Sequence, residues 1–127
     1  MTDLTTFHAN VLFFGIDPEL ASDLQQALTG LCDGAQREAL PGAADSLSTL
    51  KDGDVDLVFC NADTNVIRNL RSTAPHTLLV AIGRFPEVSD WIDSLEAGAD
   101  DYCAAPFERH QLRWIFESHF HVSRMAA

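Results

Sequence analysis

The sequence predicts an α/β fold in which a five-stranded parallel sheet is covered by helices on both faces. Three observations support this prediction. Short apolar runs alternate five times with segments whose apolar residues recur at helical spacing. Residues 11–16, 56–60 and 78–82 are apolar almost throughout, as strands are when both faces are buried. The connections are short, which suits parallel strands joined by right-handed helical crossovers.

Composition and charge predict a single domain that does not bind nucleic acid. The chain has 127 residues, of which 46% are hydrophobic, so residues 1–127 can bury one core, placed at about 10–121. Nineteen acidic residues against eight basic ones give a net charge of −11, which opposes contact with phosphates. Residues 1–9 do not resemble a signal peptide, and no apolar run has membrane-spanning length. We therefore predict a cytoplasmic protein with reduced cysteines and no membrane partner.

The first half of the chain contains two predicted strands, each followed by a helix. After the strand at 11–16, Asp17 and Pro18 form an N-cap and a first-turn proline. The apolar residues of the first helix are Leu20, Leu24, Ala27, Leu28 and Leu31. The strand at 36–40 contains charged residues, which favours a sheet edge. The inward residues of the short helix that follows are Ala44, Leu47 and Leu50.

The second half contains three strands and three helices. The strands lie at 56–60, 78–82 and 102–104. The inward residues of the helices are Val66, Ile67 and Leu70 in the first; Val88, Trp91 or Ile92, and Leu95 in the second; and Leu112, Ile115 and Phe116 in the third. We expect the flavodoxin-like (βα)5 arrangement with strand order 2-1-3-4-5, although the sequence determines the alternation better than the order. In such sheets ligands bind at the carboxyl ends of the strands.

Three stretches of the chain resemble the receiver domains of bacterial two-component response regulators. They are residues 11–20 (VLFFGIDPEL), 56–61 (DLVFCN) and 95–107 (LEAGADDYCAAPF). The last is the most specific, since it resembles the family's Gly-Ala helix end, its Asp-Tyr pair and its Lys-Pro-Phe turn. The resemblance spans nearly the whole chain. It implies the receiver fold and a role in phosphorelay signal transduction.

A working receiver of this family uses five groups. Two acids after the first strand hold a divalent cation, and an Asp after the third strand accepts the phosphoryl group. A Thr or Ser after the fourth strand and a Lys after the fifth contact that group. The matching residues here are Gly15, Ile16, Asn61, Gly83 and Ala105. Since all five depart, we predict a degenerate pseudo-receiver with no catalytic residue, no metal and no cofactor, which is not an enzyme.

The strand-end crevice allows three alternatives to a pseudo-receiver. Asp63 is two residues past Asn61, but we expect it to cap the next helix rather than to accept a phosphoryl group. A small-molecule-binding or catalytic flavodoxin-like domain would use the same crevice, yet no Gly-rich phosphate loop follows any strand. A conventional phosphoacceptor receiver is opposed by the amide of Asn61.

Asp100 and Asp101 are expected to cap a turn and not to form one site, since the side chains of adjacent strand residues face opposite ways.

The surface around the last strand is predicted to contact protein. In receivers, the fourth helix, fifth strand and fifth helix meet a partner or a second receiver. The candidate interface residues are Trp91, Tyr102, Arg109, Arg113 and Trp114. We expect a protein partner or a homodimer at this surface, in a stand-alone adaptor or beside an output domain. The sequence does not identify the partner or the input signal.

Overall fold

A computed structural model of the protein describes residues 6–39, 55–85 and 87–126. Its strands are β1 (Phe7–His8), β2 (Val11–Phe14), β3 (Cys32–Asp33), β4 (Gln36–Ala39), β5 (Leu57–Asn61), β6 (Leu78–Gly83) and β7 (Asp101–Ala104). Five of them form one parallel sheet in the order β4-β2-β5-β6-β7. Numbered among themselves along the chain, these strands have the order 2-1-3-4-5. The predicted fold class and strand order are confirmed.

Four helices are described, and local chemistry sets where they begin and end. They are α1 (Pro18–Leu28), α2 (Thr64–Thr73), α3 (Val88–Ala97) and α4 (Arg109–Ala126). The side chain of Asp17 accepts a hydrogen bond from the first turn of α1, and Asp63 does the same for α2. Gly98, with φ of 126°, ends α3. The predicted helix with Ala44, Leu47 and Leu50 lies outside the described residues.

The two faces of the sheet carry separate cores because side chains alternate along each strand. On one face, Phe13 and Phe59 stack at 5.7 Å beneath α1 and α4. On the other face, Leu12 and Val58 pack beneath α2 and α3. This alternation explains why the strands are apolar almost throughout, and it places α3 and α4 on opposite faces next to the edge strand β7.

The orientation of α3 differs from the prediction. The residues predicted to point inward are exposed, at 63% for Val88, 47% for Trp91, 48% for Ile92 and 39% for Leu95. The buried residues of this helix are Ser94 and Ala97. Helical spacing shows that residues share a face, but it does not show which face meets the sheet, and here the small residues do. We call the exposed set Val88, Trp91, Ile92 and Leu95 the α3 apolar face.

A two-stranded parallel sheet beside α1 was missed by the sequence analysis. In it, β1 pairs with β3, and Phe7 stacks on Phe116 at 5.3 Å. The helix α1 ends at Leu28, so Leu31 is buried from the following turn rather than from the helix. Two-residue strands carry too little alternation to be recognised in a sequence.

The side chain of Arg71 joins three segments on the α2–α3 side of the molecule. Its guanidinium donates to the backbone carbonyls of Ala74, Pro75, Thr77 and Gly98 at 2.9–3.3 Å. It also contacts Asp100 Oδ2 at 2.6 Å, and the same oxygen accepts from the backbone N–H of Leu79 at 2.9 Å. The end of α2, the end of α3 and the start of β7 are therefore held by one cation.

Replacing Arg71 with methionine is expected to lower the free energy of unfolding by about 2–4 kcal/mol, because several carbonyls and Asp100 lose a charged donor. Urea denaturation followed by circular dichroism measures this loss. Arg68→Met is the matched control, since Arg68 is an exposed arginine of the same helix. Equal losses in the two variants would show that these contacts do not stabilise the fold.

Candidate functional site

A shallow crevice of about 510 Å³ lies at the carboxyl edge of the main sheet. The ends of β2, β5 and β6 supply its floor, as expected for an open α/β sheet. Four of the five positions matched to the receiver family line it: Gly15, Ile16, Asn61 and Gly83. The fifth, Ala105, follows β7 and packs against the core beneath α1 and α4, and its peptide bond to Pro106 is cis. The structure thus brings four of these positions to one crevice.

The end of β2 offers no side-chain oxygen from its first two residues. Gly15 has a positive φ of 66°, and Ile16 packs against the core beneath α1 and α4. A divalent cation prefers several hard oxygen ligands, and a hydrogen atom and a butyl group provide none. At the two positions where a working receiver has acids, this chain thus has a glycine in a turn and an isoleucine packed against the core.

Asp17, the remaining carboxylate at this end, is already engaged on both oxygens. Oδ1 accepts a hydrogen bond from Glu19 N at 2.9 Å, which caps α1. Oδ2 forms an ion pair with Nη2 of Arg84, which follows β6 across the crevice. Among the described residues lining the crevice, Arg84 is the basic one. The crevice therefore holds an internal ion pair where a receiver holds a metal.

Asp63 acts as a helix cap, as predicted. Its Oδ1 accepts from Asn65 N at 2.9 Å and from Val66 N at 3.2 Å. Both donors belong to the first turn of α2, so the carboxylate is turned toward the helix end. Asp63 as a whole is exposed and lines the crevice.

The end of β6 is occupied by the hydroxyl of Tyr102. A Cβ placed on Gly83 would lie 2.0 Å from Tyr102 Oη and 2.9 Å from Tyr102 Cζ, which no real pair of atoms tolerates. The hydroxyl donates to the backbone carbonyl of Phe85 at 2.9 Å. Burial, together with Asp90 and Glu87, raises the pKa of Tyr102, so the phenol keeps its proton as donor. Gly83 is thus needed for space.

From the sequence, Gly83 is interpreted only as a position without a hydroxyl side chain. The space that it leaves for the Tyr102 side chain is not evident there. The contact arises because β6 lies beside β7, with Ala81 opposite Tyr102 and Gly83 opposite Ala104. The sequence did contain a signal for this contact. Gly83 ends the fourth strand of the main sheet and lies two residues after Ala81, which pairs with Tyr102 in the fifth. This signal becomes readable only when the strand register is known.

Asp100 and Asp101 point to different partners, as expected for neighbours at the start of a strand. Asp100 binds Arg71 and Leu79 N. Asp101 accepts from its neighbour Tyr102 N at 2.8 Å and lies 3.6 Å from His119 Nε2. The two carboxylates therefore do not form one site. Within residues 6–39, 55–85 and 87–126, no group of three or more His, Cys, Asp or Glu side chains is arranged to hold a metal.

The cysteines are buried reduced thiols in the structure. Burial raises the pKa of Cys60 and Cys103 to about 12 and that of Cys32 to about 11. A thiol with such a pKa stays protonated near neutral pH, and the protonated form is a poor nucleophile. They are packing residues. In the described part of the chain, no helix combines the length and the apolar character needed to cross a bilayer.

The predicted interface residues separate into two groups. Trp91 on α3 and Trp114 on α4 are exposed, while Tyr102 between them in β7 is buried. Trp114 follows Gln111 by one helical turn, and Gln111 Oε1 lies 3.4 Å from Cys103 Sγ, so both face the β7 side of α4. Trp114 is 61% exposed.

Arg109 is placed on the other side of α4. Its Nη2 lies 3.3 Å from where a Cβ on Gly30 would be, and it lines a hollow of about 450 Å³ between α1 and α4. Arg113, one turn later, is half-buried and has its own interactions. The structure therefore does not group these arginines with Trp91, and their role at an interface stays a prediction.

No model of a known protein family and no curated protein matches this sequence. Solved structures do match. A CheY-like protein (tadZ) from Pseudomonas aeruginosa PAO1 is 19% identical with a TM-score of 0.69, over 87% of this chain and 98% of that one. A putative response regulator from Chloroflexus aurantiacus J-10-fl is 21% identical with a TM-score of 0.72, over 87% and 95%. This chain has the fold of a CheY-like receiver domain.

The receiver fold also occurs within a longer protein that this chain resembles. NtrX from Brucella abortus, in complex with ATP, is 19% identical with a TM-score of 0.75. The match covers 94% of this chain but 28% of NtrX, so the chain spans little more than a quarter of that protein. At these identities the likeness describes the fold, and the site has to be judged from its own residues.

Gly83→Ala is expected to destabilise the protein by about 2 kcal/mol, because the new methyl group and Tyr102 cannot occupy the same space. In a Tyr102→Leu background the same substitution should cost clearly less, since the phenol is gone. Thermal or urea unfolding of the four proteins in this double-mutant cycle measures the difference. If the two substitutions have additive costs, the steric conflict is absent.

Proposed function

We propose that this protein is a pseudo-receiver, a signalling module that acts through protein contacts and without aspartyl phosphorylation. The observation that supports the proposal most strongly is the content of the crevice. Asn61 stands at the acceptor position, and Arg84, the basic residue that lines the same crevice, is paired with Asp17. The fold that normally houses the phosphorylation switch is present, and its reactive groups are replaced.

The chemistry of the crevice argues against phosphoryl transfer. An amide such as Asn61 has no negative charge and is a poor nucleophile. Phosphoryl transfer also needs cations against the charge of the incoming group, and Ile16 packs in the core where a metal ligand would be. Asp63 caps α2 and Asp17 is paired with Arg84, so neither of these carboxylates is a ready substitute for the acceptor.

The exposed apolar residues support a role in protein recognition. The α3 apolar face lies on a surface helix, and Trp114 is exposed on α4. Contiguous exposed apolar residues on a small protein mark an interaction site, with aromatic residues the commonest anchors. A protein partner or a second copy would dock on the surface formed by α3, β7 and α4. We propose that residues 1–127 form one such domain, working as a stand-alone adaptor or beside an output domain.

A second candidate function is small-molecule binding in the crevice. Its favouring observation is the volume of about 510 Å³ at the sheet edge. Against it, Asp17 and Asp63 already accept hydrogen bonds from helix ends, and Arg84 already has a carboxylate partner. The polar groups are thus mostly satisfied by the protein itself, which makes this the weaker proposal.

Incubation with acetyl phosphate and magnesium, followed by intact-mass measurement, tests the loss of phosphorylation. We expect no added phosphoryl group on the native chain. Asn61→Asp should also stay unmodified, because restoring the acceptor does not restore the metal ligands. A single phosphoryl group that disappears in Asp63→Asn would overturn the proposal.

The availability of the α3 apolar face is tested by stability. Ile92→Ser should change the free energy of unfolding by less than about 0.5 kcal/mol, because the side chain is exposed already. The matched control Ile67→Ser, on the buried side of α2, should lose at least about 3 kcal/mol. Chemical denaturation compares the two. A large loss at Ile92 would mean that another part of the chain covers this face.

A further inference from the structure

The α3 apolar face is bordered by acidic residues. Glu87, Asp93 and Glu96 are exposed residues on or next to α3, whereas Asp90 is half-buried and lines the crevice. Residues 85–104 contain these four acids together with Asp100 and Asp101, and no lysine or arginine. Asp100 is paired with Arg71. The α3 apolar face is therefore flanked by negative charges, and α3 itself has no lysine or arginine to neutralise them.

The arginines whose side chains the structure describes are paired or lie on other elements. Arg68 is exposed on α2, and Arg113 is half-buried on α4 with its own interactions. Arg71 contacts Asp100, and Arg84 contacts Asp17. Arg109 lies beside Gly30 on the far side of α4, and Arg37 lies in β4, the opposite edge of the sheet. A second copy docked symmetrically through α3 would place acids against acids, in a chain of net charge −11. Self-association through this face is thus opposed by its charges.

We propose that the α3 apolar face binds an amphipathic, basic segment of a different protein. The apolar side chains of that segment would cover Trp91 and Ile92, and its flanking Lys or Arg residues would meet Asp93 and Glu96. The apolar contact supplies affinity, and the charge pattern selects the partner and excludes a second copy. This inference rests on the proposed function, since it specifies the partner class of the same surface.

Selection from a display library of random peptides of about 15 residues, enough for four helical turns, tests the chemistry of the partner. The native chain is the bait, and Ile92→Ser is used for counter-selection. We expect enriched peptides with apolar residues at helical spacing and a surplus of Lys and Arg. Enriched peptides that are acidic or without charge bias, or no enrichment over the Ile92→Ser bait, would overturn the proposal.

Affinity measurements on the tightest selected peptide test the role of the acids. Asp93→Asn with Glu96→Gln should weaken binding about fivefold at low salt and remove much of its salt dependence. The control pair Asp23→Asn with Glu38→Gln changes the net charge equally on α1 and β4, and should change affinity less than about twofold. Equal effects of the two pairs would mean that overall charge, and not the border of this face, attracts the peptide.

Light scattering of the native chain and of Ile92→Ser separates this inference from the proposed function. We expect both to be monomeric. A native dimer that becomes monomeric in Ile92→Ser would make a second copy the occupant, and would overturn the basic partner while leaving a phosphorylation-independent interaction module intact. Phosphoryl transfer from acetyl phosphate would instead overturn the proposed function, whatever the selected peptides are.

Discussion

The space at the end of β6 is the constraint on which the site depends. The hydroxyl of Tyr102 fills the volume that a side chain at position 83 would need, so this position has to be glycine. From there the phenol donates to the carbonyl of Phe85 and fixes the segment that leads into α3. A hydroxyl-bearing residue at position 83 and this placement of Tyr102 exclude each other. The absence of a side-chain hydroxyl at position 83 and the fixed position of the segment before α3 thus both follow from the placement of Tyr102.

The crevice at the carboxyl edge of the sheet contains both charged and neutral polar groups. It is lined by the carboxylates Asp17, Asp63 and Asp90, by the neutral amide of Asn61 and by Arg84, which forms an ion pair with Asp17. An internal ion pair needs no bound metal to balance it, and partial exposure keeps its desolvation cost small. The ion pair between Asp17 and Arg84 therefore links the ends of β2 and β6 at the edge of the sheet.

The sequence predicted the fold better than it predicted the surfaces. Alternating apolar runs and helix caps such as Asp17 and Asp63 are local signals, so the alternation of strands and helices and the helix starts followed from them, whereas the strand order was taken from the flavodoxin-like fold. The orientation of α3 could not be predicted in this way, because the spacing of Trp91 and Ile92 is the same whether these side chains face the sheet or water. The contacts of Arg71 and the conflict between Gly83 and Tyr102 join residues far apart in the chain. They depend on register, which periodicity does not specify.

The small residues on the inner side of α3 affect how this helix can move. It buries only Ser94 and Ala97 of its own residues, and it is held near its ends, by the bond from Tyr102 to Phe85 and by the bond from Arg71 to Gly98. A helix that buries little apolar area has a low free energy of local opening compared with the strands beneath it. Rotating or sliding it exposes few buried groups. The element that presents the apolar face thus buries less apolar surface than α1 or α2, and repositioning it should cost less free energy than moving either of them.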